Sequence, residues 1–185
     1  GRRMMDQKQF DKIRAVFERS GVALTLVDMS LPEQPLVLAN PAFLGLTGYT
    51  EGQVLGLNCR FLQRGDDNTA TRAEIRAALA AGREAQVILR NHRADGSPFD
   101  NLLFLHPVGG RPGAPEYFLG SQFELGHCKA GVGAVIGHTD QLSRELSRIG
   151  AVSEHMEMGS RRQLKGLACP LSSIGKMPSF FVRPK

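Results

Sequence analysis

The chain has 185 residues, 42% of them hydrophobic and 22% charged, with a formal net charge of +5; that suffices for one globular domain of about 100–150 residues plus appendages. Gly1-Arg-Arg-Met4 ahead of Met5 reads as a cloning remnant, and without Arg2 and Arg3 the charge is 5 − 2 = +3, on scattered Lys and Arg that argue against a nucleic-acid surface. No apolar run reaches the roughly 18–20 residues of a membrane span, and Cys59, Cys128 and Cys169 form an odd set without metal spacing, which points to a cytoplasmic protein rather than a disulfide scaffold.

Asp6 to Arg19 predicts an amphipathic helix, with Phe10, Ile13 and Phe17 at helical spacing and Ser20-Gly21 as its stop. Ala23–Val27 and Leu36–Ala39 predict two strands joined by a proline-bearing loop. Asn40-Pro41 opens a short helix that Gly48 ends, and Thr50-Glu-Gly-Gln53 is a capping box for another turn. Thr69 to Ala81 is a helix closed by Gly82. Glu84–Arg93, Pro98–Val108 and Glu116–Leu125 then predict three strands, joined by a turn at Ala94-Asp-Gly96 and an exposed loop over 109–115. Two strands, several short helices and a three-strand meander make an α+β domain, one antiparallel sheet covered by helices.

Between the second capped turn and the long helix lies Gly56-Leu-Asn-Cys-Arg-Phe-Leu-Gln63. As a turn of helix it lets Asn58, Cys59 and Gln63 address one bound molecule while Phe61 and Leu62 turn into the core. Few packing demands call for a thiol between an amide and a guanidinium. Strand alternation supplies a second observation: Val87, Leu89 and Asn91 share one face, as do Asn101, Leu103 and Leu105, and as do Phe118, Gly120 and Gln122. Three carboxamides on apolar sheet faces make a poor core, since each costs about 1–3 kcal/mol when buried unpaired. They make a good pocket for a planar heterocycle with alternating donors and acceptors.

Asn-Cys-Arg-Phe-Leu-Gln resembles the photoactive motif of the LOV (light-oxygen-voltage) domains, the blue-light-sensing branch of the PAS family, and the resemblance runs from about Val22 to Leu125. It implies a five-stranded antiparallel sheet enclosing a flavin, usually FMN, sometimes FAD or riboflavin. It implies that Asn91 and Asn101 bind the pyrimidine edge of the ring, that Gln122 faces N5 and O4, and that Asn58 and Gln63 hold the ribityl chain and ring edge. Thr25, Val27, Leu103, Leu105, Phe118 and Gly120 would line the cavity, with Gly120 leaving room for the ring. Arg60 and Arg76 match the phosphate-binding arginines, where a planar guanidinium fork suits a phosphate; Arg64 and Arg72 are weaker candidates. Gln34 stands where many members have Asn, and Asp100 where plant members often have an aromatic, on the face away from the pocket. Cys59 would be the residue whose sulfur adds reversibly to ring carbon C4a in light, so nothing is turned over.

The expected organisation is a remnant and cap helix over 1–21, a LOV core over 22–126, and a C-terminal helical extension over 127–185 with an irregular tail from Ser172. Val135 to Met158 predicts a helix whose stripe is Leu142, Leu146, Ile149 and Met156, and Ser160 caps a second short helix. The roughly 60 residues after Leu125 hold no kinase, cyclase or phosphodiesterase signature. The expectation is therefore a photoreceptor without catalytic output. It would be a homodimer through Phe10, Ile13, Phe17 and the Leu142–Met156 stripe, sensitive to light and acting on an unknown protein partner. The alternative for that stripe is to fold back on its own sheet. The rival functions are a flavin-binding redox sensor and a light-regulated DNA-binding protein using the C-terminal helices; a thiol-dependent flavoenzyme is the weakest.

Overall fold

The computed structural model describes residues 5–126 and 131–150. The elements are α1 (Gln7–Arg19), β1 (Ala23–Asp28), β2 (Leu36–Ala39), α2 (Pro41–Thr47), α3 (Glu51–Val54), a 3-10 turn (Cys59–Gln63), α4 (Thr69–Ala81), β3 (Ala85–His92), β4 (Pro98–Val108), β5 (Tyr117–Glu124) and α5 (Gly131–Gly150). The strands form one antiparallel sheet in the order β2-β1-β5-β4-β3. The last strand in sequence is thus the central one.

Local chemistry sets the ends of the helices. Asp6 caps α1 through a capping box with Gln9. Asn40 ties three elements together from a buried position. Its Oδ1 accepts from Leu24 N at 2.9 Å and Phe43 N at 3.0 Å, while its Nδ2 donates to Phe17 O at 3.0 Å and Val22 O at 2.7 Å. That one side chain caps α2, pairs the start of β1 and satisfies the end of α1. Gly48 ends α2 in the left-handed region at φ 74°, where a side chain would strain the backbone.

The two faces of the sheet are covered differently. On the outer face Leu24, Leu26, Leu102, Phe104 and Leu119 form one buried cluster with Ile13 and Phe17 of α1 and Leu142, Leu146 and Ile149 of α5. Each such side chain contributes roughly 1.5–3 kcal/mol. The apolar stripes of α1 and α5 therefore lie on their own sheet, the fold-back alternative, and are not free as a dimer seam in this chain. An amphipathic stripe shows that a helix face is buried, not what covers it. Met156 and the second C-terminal helix lie outside the described residues.

One irregularity divides β2 between the two faces. The register with β1 runs Thr25–Ala39, Leu26–Leu38 and then Val27–Leu36, so Val37 is an extra residue. Leu38 joins the outer cluster, while Leu36 packs with Phe43, Val54 and Leu62 on the helical side.

Candidate functional site

The helical side of the sheet holds a cavity of about 120 Å³. Its floor comes from alternate residues of four strands: Thr25 and Val27 of β1, Leu89 and Asn91 of β3, Asn101, Leu103 and Leu105 of β4, and Phe118, Gly120 and Gln122 of β5. Asn58, Cys59, Arg60 and Gln63 meet them from the 3-10 turn and its cap, with Gln34 from the β1–β2 loop. Every sequence-predicted site residue lines this one space except Arg76 and the weaker candidates Arg64 and Arg72, of which Arg64 donates instead to Tyr49 Oη and Arg93 O and Arg72 is exposed. Arg76 is exposed on α4, about 100° round the helix from the lining residue Ile75. Ile75, Leu79 and Leu62 line the cavity without having been singled out for it. The i, i+4 spacing of Ile75 and Leu79 was the available signal.

The segment carrying Cys59 is 3-10 rather than α-helical. Three residues per turn set Cys59 and Leu62 on one side, so Leu62 is 3% exposed while Phe61 is only half-buried, edge-on to Tyr49 at 5.1 Å. Asn58 caps the turn by accepting from Arg60 N at 3.0 Å, and its Nδ2 donates to Glu33 O at 2.6 Å. Glu33 and Gln34 both have positive φ, 64° and 50°, which non-glycine residues rarely adopt. The Asn58 amide holds that loop against the cavity mouth, where Arg60 Nη2 pairs with Glu33 Oε2 at 2.7 Å.

The polar groups inside are incompletely paired by the protein. Asn101 Nδ2 donates to Asn91 Oδ1 at 2.9 Å, and Gln122 Nε2 donates to Thr25 Oγ1 at 3.2 Å. Asn101 Oδ1 and Gln122 Oε1 are buried without a partner among the described residues. Buried amide oxygens are almost always satisfied, so a pair of them aimed at a common cavity fits a ligand that donates hydrogen bonds from a flat edge. Gly120 keeps this space open: a Cβ there would lie 2.7 Å from Thr25 Oγ1 and 3.1 Å from Gln122 Nε2. The space that Gly120 leaves is thus claimed first by the Thr25–Gln122 pair. These residues fit a flavin.

Cys59 keeps some accessible surface yet lines the cavity away from bulk water, and burial pushes its thiol up to about 12, with its own backbone and Thr25 offsetting part of the rise. At neutral pH it is S–H, not thiolate. That is the wrong state for a hydrolase nucleophile. Among the described residues no group of three His, Cys, Asp or Glu could hold a metal ion.

Residues 21–121 match the PAS domain family. Among solved structures the chain is similar to the Rhodobacter sphaeroides LOV protein, at 65% identity over 94% of this chain and 100% of that one, with a TM-score of 0.85. Among curated proteins it is similar to the blue-light-activated histidine kinase of Rhizobium johnstonii, 45% identical over 120 residues, 65% of this chain and 34% of that protein. It is also similar to blue-light-activated histidine kinase 1 of Erythrobacter litoralis, 39% identical over 108 residues, 58% of this chain and 30% of that protein. The chain thus matches about a third of the length of these kinases. It belongs to the PAS family and, within it, to the LOV domains, the flavin-binding blue-light photoreceptors.

Proposed function

We propose that this chain binds FMN in the cavity and senses blue light through a reversible bond at Cys59 that turns nothing over. The observation that carries this reading is the juxtaposition in one cavity of the Cys59 thiol with amide oxygens that find no partner among the described residues. Bound flavin supplies a ring carbon, C4a, that light makes reactive toward a thiol. With flavin bound, Cys59 would supply the sulfur for that carbon and the proton for ring nitrogen N5, and would take both back in darkness. Asn91 and Asn101 orient the ring by its pyrimidine edge, and Asn58, Gln63 and Gln34 hold the ribityl chain. Arg60 is the group for the phosphate; its pairing with Glu33 is exposed at both ends, so opening it for a ligand costs little. Arg76 is a second phosphate contact only if its side chain turns toward the cavity mouth.

Gln122 would face N5 of the bound ring, and its amide, which carries both a donor and an acceptor, would turn its oxygen inward once that atom became a donor. Gln122 lies on β5, whose outward residues seat α5, so the signal has a short route to the flanking helices. We infer that the readout is a change in that seating and in the association of two copies, which a downstream protein then reads. Since the apolar stripes lie on their own sheet, association uses the outward sides of these helices, where Ile136 is 51% exposed, or the stripes once uncovered. No helix among the described residues is long and apolar enough to cross a membrane, which agrees with action in the cytoplasm. The test is an absorption spectrum of the purified protein in darkness, after blue light, and during return to darkness, with mass measured in both conditions. A flavin spectrum that bleaches and recovers supports the photochemistry, and one insensitive to light ends it.

A further inference from the structure

We propose that Thr25 is a positioning residue whose hydroxyl pairs with the Gln122 amide in both of its orientations and so governs how readily that amide turns. This deepens the photochemical reading above and rests on it for its kinetic consequence only. Thr25 is 1% exposed, on β1, directly opposite Gly120 of β5. Its Oγ1 accepts from Gln122 Nε2 at 3.2 Å and faces Gly120 O at 3.4 Å and the Cys59 thiol, either of which can take its proton. Among the described residues this hydroxyl is the sole partner of the Gln122 side chain. Gly120 has no Cβ to come between them: one would lie 2.7 Å from Oγ1.

A hydroxyl carries one donor and two acceptor sites and can rotate. With Nε2 turned inward, Thr25 accepts. With Oε1 turned inward, the hydroxyl proton leaves Gly120 O or the thiol and serves Oε1 instead. A valine of nearly the same shape offers neither. Its loss is unequal between the two orientations, because a buried N–H without an acceptor is costlier than a carbonyl that keeps one of two bonds. Removing the hydroxyl therefore penalises the resting orientation, in which Nε2 needs an acceptor, more than the turned one.

The experiment compares wild type, Thr25→Val and Thr25→Ser as full chains loaded with FMN. In darkness, hydrogen exchange of the Gln122 side-chain amide is followed by ¹⁵N-resolved NMR. Faster exchange in Thr25→Val and wild-type exchange in Thr25→Ser are expected. After blue light, Thr25→Val should still bleach but recover more slowly, by about 2–13-fold, the equivalent of one net hydrogen bond. Thr25→Ser should recover at the wild-type rate, and Thr25→Val should add nothing to a Gln122→Leu chain. Unchanged dark exchange in Thr25→Val, or the same slowing in the Gln122→Leu background, overturns the role of Thr25. A wild type that does not bleach overturns the photochemistry instead, and the dark exchange still decides the pairing.

Discussion

The two faces of the sheet are built from the same strands and alternate residue by residue, yet they solve burial in different ways. The outer face is a core: Leu102, Phe104 and Leu119 sit under α1 and α5 in one apolar cluster. Its unpaired polar atoms among the described residues, the Ser121 hydroxyl and the Nε2 atoms of His106 and His138, belong to residues packed beside Phe104 and line no part of the inner cavity. The inner face, one residue away along each strand, gathers Asn91, Asn101 and Gln122 around a cavity and leaves two amide oxygens within it unpaired among the described residues. The largest apolar cluster lies on one side and the cavity amides on the other, so substitution of Phe104 and of those amides should separate stability from recognition.

The largest separation is at the thiol. Cys59→Ala should keep flavin bound and fluorescent but lose the reversible bleach completely, as absorption before and after blue light will show; any remaining dark-reversible change would break the assignment. On the outer face, Phe104→Ala should cost about 3–5 kcal/mol of stability, since Phe104 is 2% exposed, while leaving the spectrum of bound flavin unchanged. Urea unfolding of the flavin-free and loaded protein measures both.

The His138 ring lies 4.7 Å from Phe123 and 6.0 Å from Phe104, and burial depresses its pKa from the ordinary 6.5 to about 4. The unfolded chain takes up a proton below about 6.5 that the folded chain refuses until about 4, so this contribution is intact above that window and is lost as pH falls through it. The loss reaches about 3 kcal/mol. Since carboxylates titrate there too, the check is the difference between unfolding curves of wild type and His138→Gln across pH 4–7, which should shrink as pH falls.

Asn101→Leu tests the inner face. It should leave the flavin-free protein as stable as wild type and weaken flavin by about 1–3 kcal/mol, read by fluorescence titration. A loss of stability comparable to that of Phe104→Ala would erase the distinction between the faces. The smallest effect belongs to Gln122→Leu, which should preserve the bleach while blunting the light-induced change in size. One net hydrogen bond is worth about 0.5–1.5 kcal/mol, enough to redistribute only states already nearly balanced. Scattering in both lights tests it.

Much of this was legible in the sequence for a simple reason. Strands alternate with a period of two, so Asn91, Asn101 and Gln122 could be assigned to a common side before any packing was known. The Asn40-Pro41 start and Gly48 stop of α2 likewise follow from local backbone chemistry. The destination of the α5 stripe was not legible, because helical periodicity carries no information about the covering surface. Nor was the Glu33–Arg60 pair, which depends on two consecutive non-glycine residues at positive φ. The role of Thr25 depends on pairing across a sheet with a residue 97 positions away, and no local pattern records that.

The central place of β5 has a consequence for how the protein is made. The β1–β2 and β3–β4 pairs can each form from neighbouring segments as the chain emerges, but no strand pairing joins them until residues 117–124 insert between β1 and β4. Closing so long a loop is slow compared with forming a hairpin. Phe118, Gly120 and Gln122 arrive in the same event, so a chain still in synthesis has no place for its cofactor. Completion of the sheet and competence to capture the cofactor are one kinetic step, and added flavin should speed the recovery of refolded protein only after that strand is in place.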